Sequence, residues 1–182
     1  MASVLSHAVA ASAITAVFYR PGVPKRVWIA GIACSVIPDL DVIGFRFGIQ
    51  YGDFWGHRGF THSLLFAALL AAVLTVIAKI QLGITRFSLF AYLFLATASH
   101  GVLDAMTNGG LGVGFLLPFD NRRSFLPWRP IRVSPIGVTR FFSARGFAVL
   151  QTELVWVWLP SILIIAAAVI SRRVRARTEI VV

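Results

Sequence analysis

Charge is what this chain has least of. Only 13% of its 182 residues are Asp, Glu, Lys or Arg and 58% are hydrophobic, where an ordinary soluble domain carries about 25% charged residues. With a mean hydropathy of +0.82, a soluble globule is excluded and an integral membrane protein is predicted. Acids are scarcer still, seven against seventeen Lys and Arg, for a formal charge of +10. The excess is Arg scattered between apolar segments, without the contiguous basic stripe that a duplex reader needs, so no nucleic-acid partner is expected. It reads instead as topology and lipid headgroup contact. The single cysteine, Cys34, excludes an internal disulfide, and its apolar surroundings predict a small buried hydrophobe. No Lys or Arg precedes the first apolar run, so the basic region of a cleavable leader is missing and the first helix is expected to stay attached. Internal repeats and low-complexity linkers are absent too.

At roughly 20 apolar residues per crossing, the length predicts a single all-α membrane domain over 1–182, a polytopic bundle of about five membrane helices. A first helix is expected from about Val4 to Tyr19, broken by Arg20, Pro21, Gly22 and Pro24. A shorter second one, Lys25 to Ile37, stops before Pro38 and is too short for a full crossing. The glycines and aromatics of Val42 to Phe60 suit a packed, re-entrant segment. Thr61 is the expected N-cap of a third helix, His62 to Ile80. A connection at Gln81-Leu82-Gly83, flanked by Lys79 and Arg86, turns it into a fourth, Phe87 to Met106. An interfacial loop with Arg and Trp at headgroup depth should cover 107–146, followed by a last span over 147–171 kinked at Pro160 and a basic tail over 172–182.

Against this apolar background the chemistry is concentrated. All four histidines and three of the seven acids fall in His7, Pro38-Asp39-Leu40-Asp41, His57-Arg58-Gly59-Phe60-Thr61-His62-Ser63 and His100-Gly101-Val102-Leu103-Asp104. Ionisable groups in a membrane protein usually face an interior or a wet cavity, and imidazole plus carboxylate is the ligand set of zinc and similar divalent metals. His100 and Asp104 share one helix face, a turn apart. Asp39 and Asp41 bracket a turn and can bridge or flank metals. Each cluster alone reads equally well as a polar interhelical pair or a solvated helix end. Threading the helices in alternating directions, however, brings all four to one membrane face, so a metal site built from residues 1–110 is predicted. Arg20, Lys25, Arg26, Lys79, Arg86 and the four Arg of the tail fall on the other face; Arg46, Arg58, Arg122, Arg123, Arg129, Arg132, Arg140 and Arg145 share the site's face. Weighing short loops and helix ends places the tail in the cytoplasm and the site outside, in a cell inner membrane.

These motifs, with the following Leu117-Pro118-Phe119 and its Arg cluster, resemble the YdjM-like, LexA-regulated group of membrane-bound metal-dependent hydrolases, over residues 1 to about 135. That group is itself similar, distantly, to the secreted zinc-dependent phospholipases C, all-helical proteins that hold metals with His and Asp. The resemblance implies metal ligands at His7, Asp39 or Asp41, His57, His62, His100 and Asp104. Seven candidate ligands exceed what one tetrahedral zinc needs, so two or three ions are expected, with one acid, Asp39, left as base. Arg58 is expected to grip a phosphate or carboxylate, or to pair structurally with Asp53 or Asp41. Arg122 and Arg123, with Arg129 and Arg132, are candidates for a lipid headgroup. Glu153 is either a base or an extra ligand, or the partner of a nearby Arg, and Thr61, Ser63 and Asn108 are candidates for orienting the histidines. The expected activity is hydrolysis of a lipid or lipid-linked ester by metal-activated water, phosphoester before acyl ester or amide. The alternatives are a metal or proton transporter, for which polar groups should continue to the opposite face, and a non-catalytic scaffold pinned by its metal.

Overall fold

Helix caps and prolines divide this apolar chain into its elements. The structure, a computed structural model, describes residues 1–78 and 83–181. Among them the regular structure is all helical apart from two isolated bridges, Thr107 with Ile131 and Val113 with Ser124. α1 (Val4–Phe18) starts where the Ser3 hydroxyl accepts the Ser6 amide and ends ahead of the Pro21 to Pro24 break. α2 (Lys25–Cys34) begins after Pro24. A run of 3₁₀ turns, Ile37–Phe47, carries Pro38 in its first turn, where no amide is needed. α3 (Leu64–Ile77) and α4 (Arg86–Ala105) are capped by Ser63 and Thr85. A single turn, α5 (Val138–Phe141), leads to α6 (Ala144–Glu153), capped by Ser143, then a π segment, Leu154–Trp158, and α7 (Leu159–Val181). Such caps contribute about 1 kcal/mol each.

Several boundaries differ from expectation. The cap of α3 is Ser63, because the Thr61 hydroxyl is turned toward Asp41 and His62 instead. The last helix starts at Ala144 and runs through Thr178 as one 35-residue helix that takes in most of the basic tail. It is not broken at Pro160: the π turns just before it widen the helix where the ring would meet a carbonyl and where an amide is missing. The expected connection at Lys79 to Leu82, and the expected helix end at Ile80, lie outside the described residues.

Two helices, Arg86–Ala105 and Ala144–Thr178, are each long and apolar enough to cross a membrane, and α2 with the 3₁₀ run passes as a third, bent by 44°. α1 and α3 are apolar but have 15 and 14 residues, roughly 22 Å of helix against a hydrocarbon core of about 30 Å. The expected five crossings are therefore not established by length. α4 is the interior helix, packed against α1, α2 and α3, while α7 lies outside against α1. Half of the α4 stretch is buried, against 11% of the last helix, whose Ile162, Leu163 and Ile164 stay exposed as lipid-facing residues should.

The end of the bundle away from the histidines is closed by hydrocarbon: Val27, Trp28, Leu89, Tyr92 and Leu93 pack together with Cys34, which is buried as expected. Tyr92 donates its hydroxyl to the Trp28 carbonyl at 2.8 Å, fixing α4 against α2. At the other end the loop after α4 folds back over the helix ends. Leu126 donates its amide to the Ala105 carbonyl, Gly114 to Arg58 and Leu64 to Phe115. Val113, Leu117 and Ile131 are buried beneath it, and Phe119 and Trp128 remain exposed at its surface. The segment expected as an interfacial loop is thus also the roof of the histidine cluster.

Gly31 is required by this packing, since a Cβ there would lie 2.1 Å from Tyr92 Oη and 2.2 Å from Cζ. Gly31→Ala should therefore lower stability by about 1–3 kcal/mol, seen as a drop in melting temperature of the detergent-purified protein. An unchanged melting temperature would mean that α2 and α4 do not meet in this register.

Candidate metal centre

The four sequence clusters meet at one end of the bundle because each sits at the end of a helix that stops there. His7 stands in the first turns of α1, Asp39 and Asp41 follow the break after α2, His57 and His62 precede α3, and His100 and Asp104 close α4. Donor atoms of Asp39, His62, His100 and Asp104 all lie within 4.8 Å of one another, and the four residues are buried. His62 Nε2 is 3.0 Å from His100 Nε2, 3.6 Å from Asp104 Oδ2 and 3.9 Å from Asp39 Oδ1, and His100 Nε2 is 3.3 Å from Asp39 Oδ1. Ligands about 2.0–2.1 Å from a tetrahedral zinc are separated by roughly 3.4 Å. The spacing of these donors therefore fits a divalent ion.

Their hydrogen bonding fits it too. His100 Nδ1 lies 2.7 Å from the Ser35 carbonyl, which can only accept, so Nδ1 carries the proton and Nε2 presents a lone pair. Asp41 fixes two further rings in the same sense: Oδ1 is 2.7 Å from His57 Nδ1 and Oδ2 is 3.2 Å from His62 Nδ1. The Thr61 hydroxyl donates to the same Oδ2 at 2.9 Å. With their Nδ1 protons given to Asp41, His57 and His62 turn Nε2 lone pairs inward, and two of the lone pairs in the cluster face each other at 3.0 Å. Both oxygens of Asp39 and Nε2 of His57 are buried without a hydrogen-bond partner. Stranding a carboxylate in this way costs several kcal/mol unless a positive charge offsets it. The titration of His62 reports the same field. Burial pushes its imidazole down, but the carboxylates of Asp104 and Asp41 outweigh burial and hold it up at about 9, so without an ion Nε2 carries a proton that a metal would displace to reach the lone pair. His57 goes the other way, lowered because burial outweighs its one carboxylate partner, Asp41.

Asp41 forms a second close group with His57 and His62, but its oxygens are already taken by their Nδ1 protons. It is better described as the residue that orients His57 and His62 than as a candidate ligand itself. His7 stacks on His100, with ring centroids 3.7 Å apart, and its Nε2 is 3.5 Å from Asp104 Oδ1. It borders the donor group without joining it, and neither of its nitrogens has a hydrogen-bond partner.

The expected substrate-facing arginines are placed differently. Arg58 is fully buried; Nε donates to Asp104 Oδ2 at 3.0 Å, Nη1 to the Gly109 carbonyl and Nη2 to Thr107 Oγ1. It has no free face for a phosphate, and the ion pair of its guanidinium is with Asp104, not Asp53 or Asp41; Asp41 accepts only its backbone amide, at 3.3 Å. Those three bonds hold it at φ 65°, unusual for a side-chain-bearing residue. Arg123 donates to the carbonyls of His57 and Asp53, both at 2.8 Å, and so secures the loop that delivers His57. Arg122 is exposed and pairs with Asp120. Glu153 is fully buried, but its oxygens accept the amide and hydroxyl of Ser3. It neither joins the donor group nor pairs with an Arg, and it fixes the segment whose Ala2 amide donates to Asp104 Oδ1. Asn108 accepts the Val133 amide and Ser63 caps α3, so of the three residues expected to orient histidines only Thr61 contacts the cluster. Ser35 and Thr107 were not expected; a carbonyl acceptor and a threonine after a helix carry no sequence signal.

Replacing Asp41 by Asn would remove the charge that holds both Nδ1 protons, and zinc affinity should fall about 10–100-fold in a competition titration against a chromogenic chelator. Unchanged affinity would take Asp41 out of the orienting role.

Residues 1–176 match the family described as YdjM inner membrane protein. The chain is 40% identical over 166 residues to inner membrane protein YbcI of Escherichia coli (strain K12), covering 90% of this chain and 95% of that protein. It is 31% identical over 112 residues to YvsG of Bacillus subtilis (strain 168), covering 58% and 66% respectively. No solved structure matches. The motifs, the helical bundle and these relatives agree, and the chain belongs to the YdjM inner membrane protein family.

Proposed function

We propose that this chain is a membrane-embedded, metal-dependent hydrolase of a lipid or lipid-linked ester, with a phosphoester as the preferred bond. The observation that carries the reading is the convergence of imidazole lone pairs and an unpartnered buried carboxylate on one point. A zinc ion held by His62, His100 and Asp104 would keep its fourth position for a water beside Asp39, supply Lewis acidity and lower the pKa of that water. Asp104 is tied by Arg58 and the Ala2 amide, and His62 and His100 by Asp41 and Ser35. Asp39 alone has uncommitted oxygens, so it takes the proton of the attacking water. As water oxygen bonds to phosphorus and the ester P–O bond breaks, that proton passes to the leaving alkoxide. Asp41 already takes the Nδ1 protons of His57 and His62, so the second group has no carboxylate to spare, which reduces the proposal from two or three ions to one. Transport is disfavoured by the hydrocarbon plug of Trp28, Leu89, Tyr92 and Leu93 at the opposite end.

Metal analysis of the purified protein should find about one zinc per chain, lost in His100→Ala and in Asp104→Ala. A screen of lipid esters should find an activity that drops about a hundredfold or more with the same changes. Bound zinc with no hydrolysable ester would leave a metal-pinned scaffold, and ion flux abolished by these changes would mean transport.

The proposed topology has five crossings of the inner membrane, with α1 and α3 spanning at a locally thinned site, the metal centre outside and the tail in the cytoplasm. Burial of Arg58 and attachment of Arg123 to backbone carbonyls weaken the positive charge on the site face and favour this orientation. In a Cys34→Ser background, an impermeant maleimide should label Trp128→Cys from the periplasm and Arg177→Cys only after lysis. The opposite pattern would invert the topology.

A further inference from the structure

The donor group is sealed nearly everywhere: His100 and Asp104 have no exposed surface and His62 has 4%. Asp39, at 6%, is the donor that lines a cavity. That cavity, of about 460 Å³, runs from Asp39 between the start of α1, Val42 and the segment 134–142. Val4, Leu5, Val42, Ile136, Phe141 and Phe142 make its walls apolar. Val4, Leu5 and Phe142 are also exposed on the outside of the bundle, so the cavity opens sideways among lipid-facing side chains. Three other cavities, beside Arg132 and Arg145, beside Arg20 and Arg172, and between Arg26, Ile77 and Leu89, touch none of the donors. A slot with hydrocarbon walls, an open side among apolar residues and one carboxylate at its inner end is complementary to an amphiphile, polar end first. At about 30 Å³ per methylene, close to the liquid volume of a water molecule, it holds roughly fifteen carbons. That is about the length of one acyl chain.

We propose that the groove leading to Asp39 is a single-chain lipid site: one hydrocarbon tail lies along Leu5, Val42 and Phe142, entering from the bilayer, and presents its phosphate ester at Asp39. This rests on the hydrolase reading for what happens to the ester, though the site itself does not. Selectivity would then follow the chain in the groove, and a water-soluble ester of the same headgroup, lacking that chain, would be a poor substrate.

Zinc-loaded full-length protein in nanodiscs, illuminated with a single-chain phosphocholine carrying a diazirine at its chain end, tests the site. Labelled peptides should map to residues 1–5 and 134–142. Labelling there should fall at least about fivefold, the effect of roughly 1 kcal/mol, when Leu5→Trp and Val42→Trp fill the groove, with bound zinc retained. Phe142→Glu at the exposed rim should give the same loss if the double variant does not fold. Labels spread over α7 and unaffected by these changes would overturn the proposal. Turnover of hexadecyl and ethyl p-nitrophenyl phosphate separates the two readings. Groove labelling without cleavage of either ester leaves the lipid site and removes the hydrolase. Equal cleavage of both without groove labelling does the reverse.

Discussion

Four residues from two other segments meet the carboxylate of Asp104, and the histidine end of the bundle depends on it. Arg58 grips one oxygen, the Ala2 amide binds the other, and His62 and His7 stand within 3.6 and 3.5 Å. Removing a carboxylate from water costs several kcal/mol, and a buried partner recovers that only when the remaining lone pairs are also satisfied. Here the ion pair is buried on both sides, so loss of Arg58 would strand a charge among helix ends and not merely remove one contact. The same ion pair explains why Arg58 accepts a left-handed backbone and why the roof loop, through Thr107 and Gly109, is drawn down over the site.

Around this anchor the acids divide their work. Asp104 and Asp41 are held by fixed donors, and Asp39 is left without any. Asp41, set behind two rings, is a positioning group; Asp104 is held in place by its bonds and keeps a second lone pair on each oxygen for the donor group; Asp39, with no donor, is the reactive one. The histidines divide similarly, since a carbonyl or carboxylate behind Nδ1 settles which nitrogen faces inward. Such arrangements work only if the outer partners are rigid. Ser35 follows the last residue of α2, and Asp41 sits within the 3₁₀ run that α2 bends into. The 44° bend after α2 is therefore part of the site's construction, because a straight helix would carry these acceptors past the cluster.

Much of this was legible before any coordinates. The proline breaks and helix ends bring His7, Asp39, His62, His100 and Asp104 to the same end, because alternating helix directions leave few other outcomes. The i, i+4 spacing of His100 and Asp104 put both on one face. Partners lying in irregular chain were not legible. Arg58 sits between two histidines in sequence, which suggested substrate. Its real partners, Asp104, Thr107 and Gly109, reach it only once the loop after α4 has folded back. Arg123 was read as a headgroup ligand because nothing in its sequence shows that the loop carbonyls near His57 curl toward it. Thr61 and Ser63 are both good caps by composition, and only the demand of Asp41 for another donor decides between them. The expected count of about five spans rests on hydropathy alone, while helix length among the described residues gives two crossings and a bent third.

The bond between Glu153 and Ser3 joins segments that leave the ribosome 150 residues apart. Residues 39 to 104 contain every member of the central donor group, so a nascent chain holds its ligands well before it holds the clasp on the segment leading into α1. Asp104 meanwhile lacks the Ala2 amide in its final setting until the sixth helix is made. Biosynthesis thus supplies every residue of the donor group before the clasp that fixes the chain's first residues beside it.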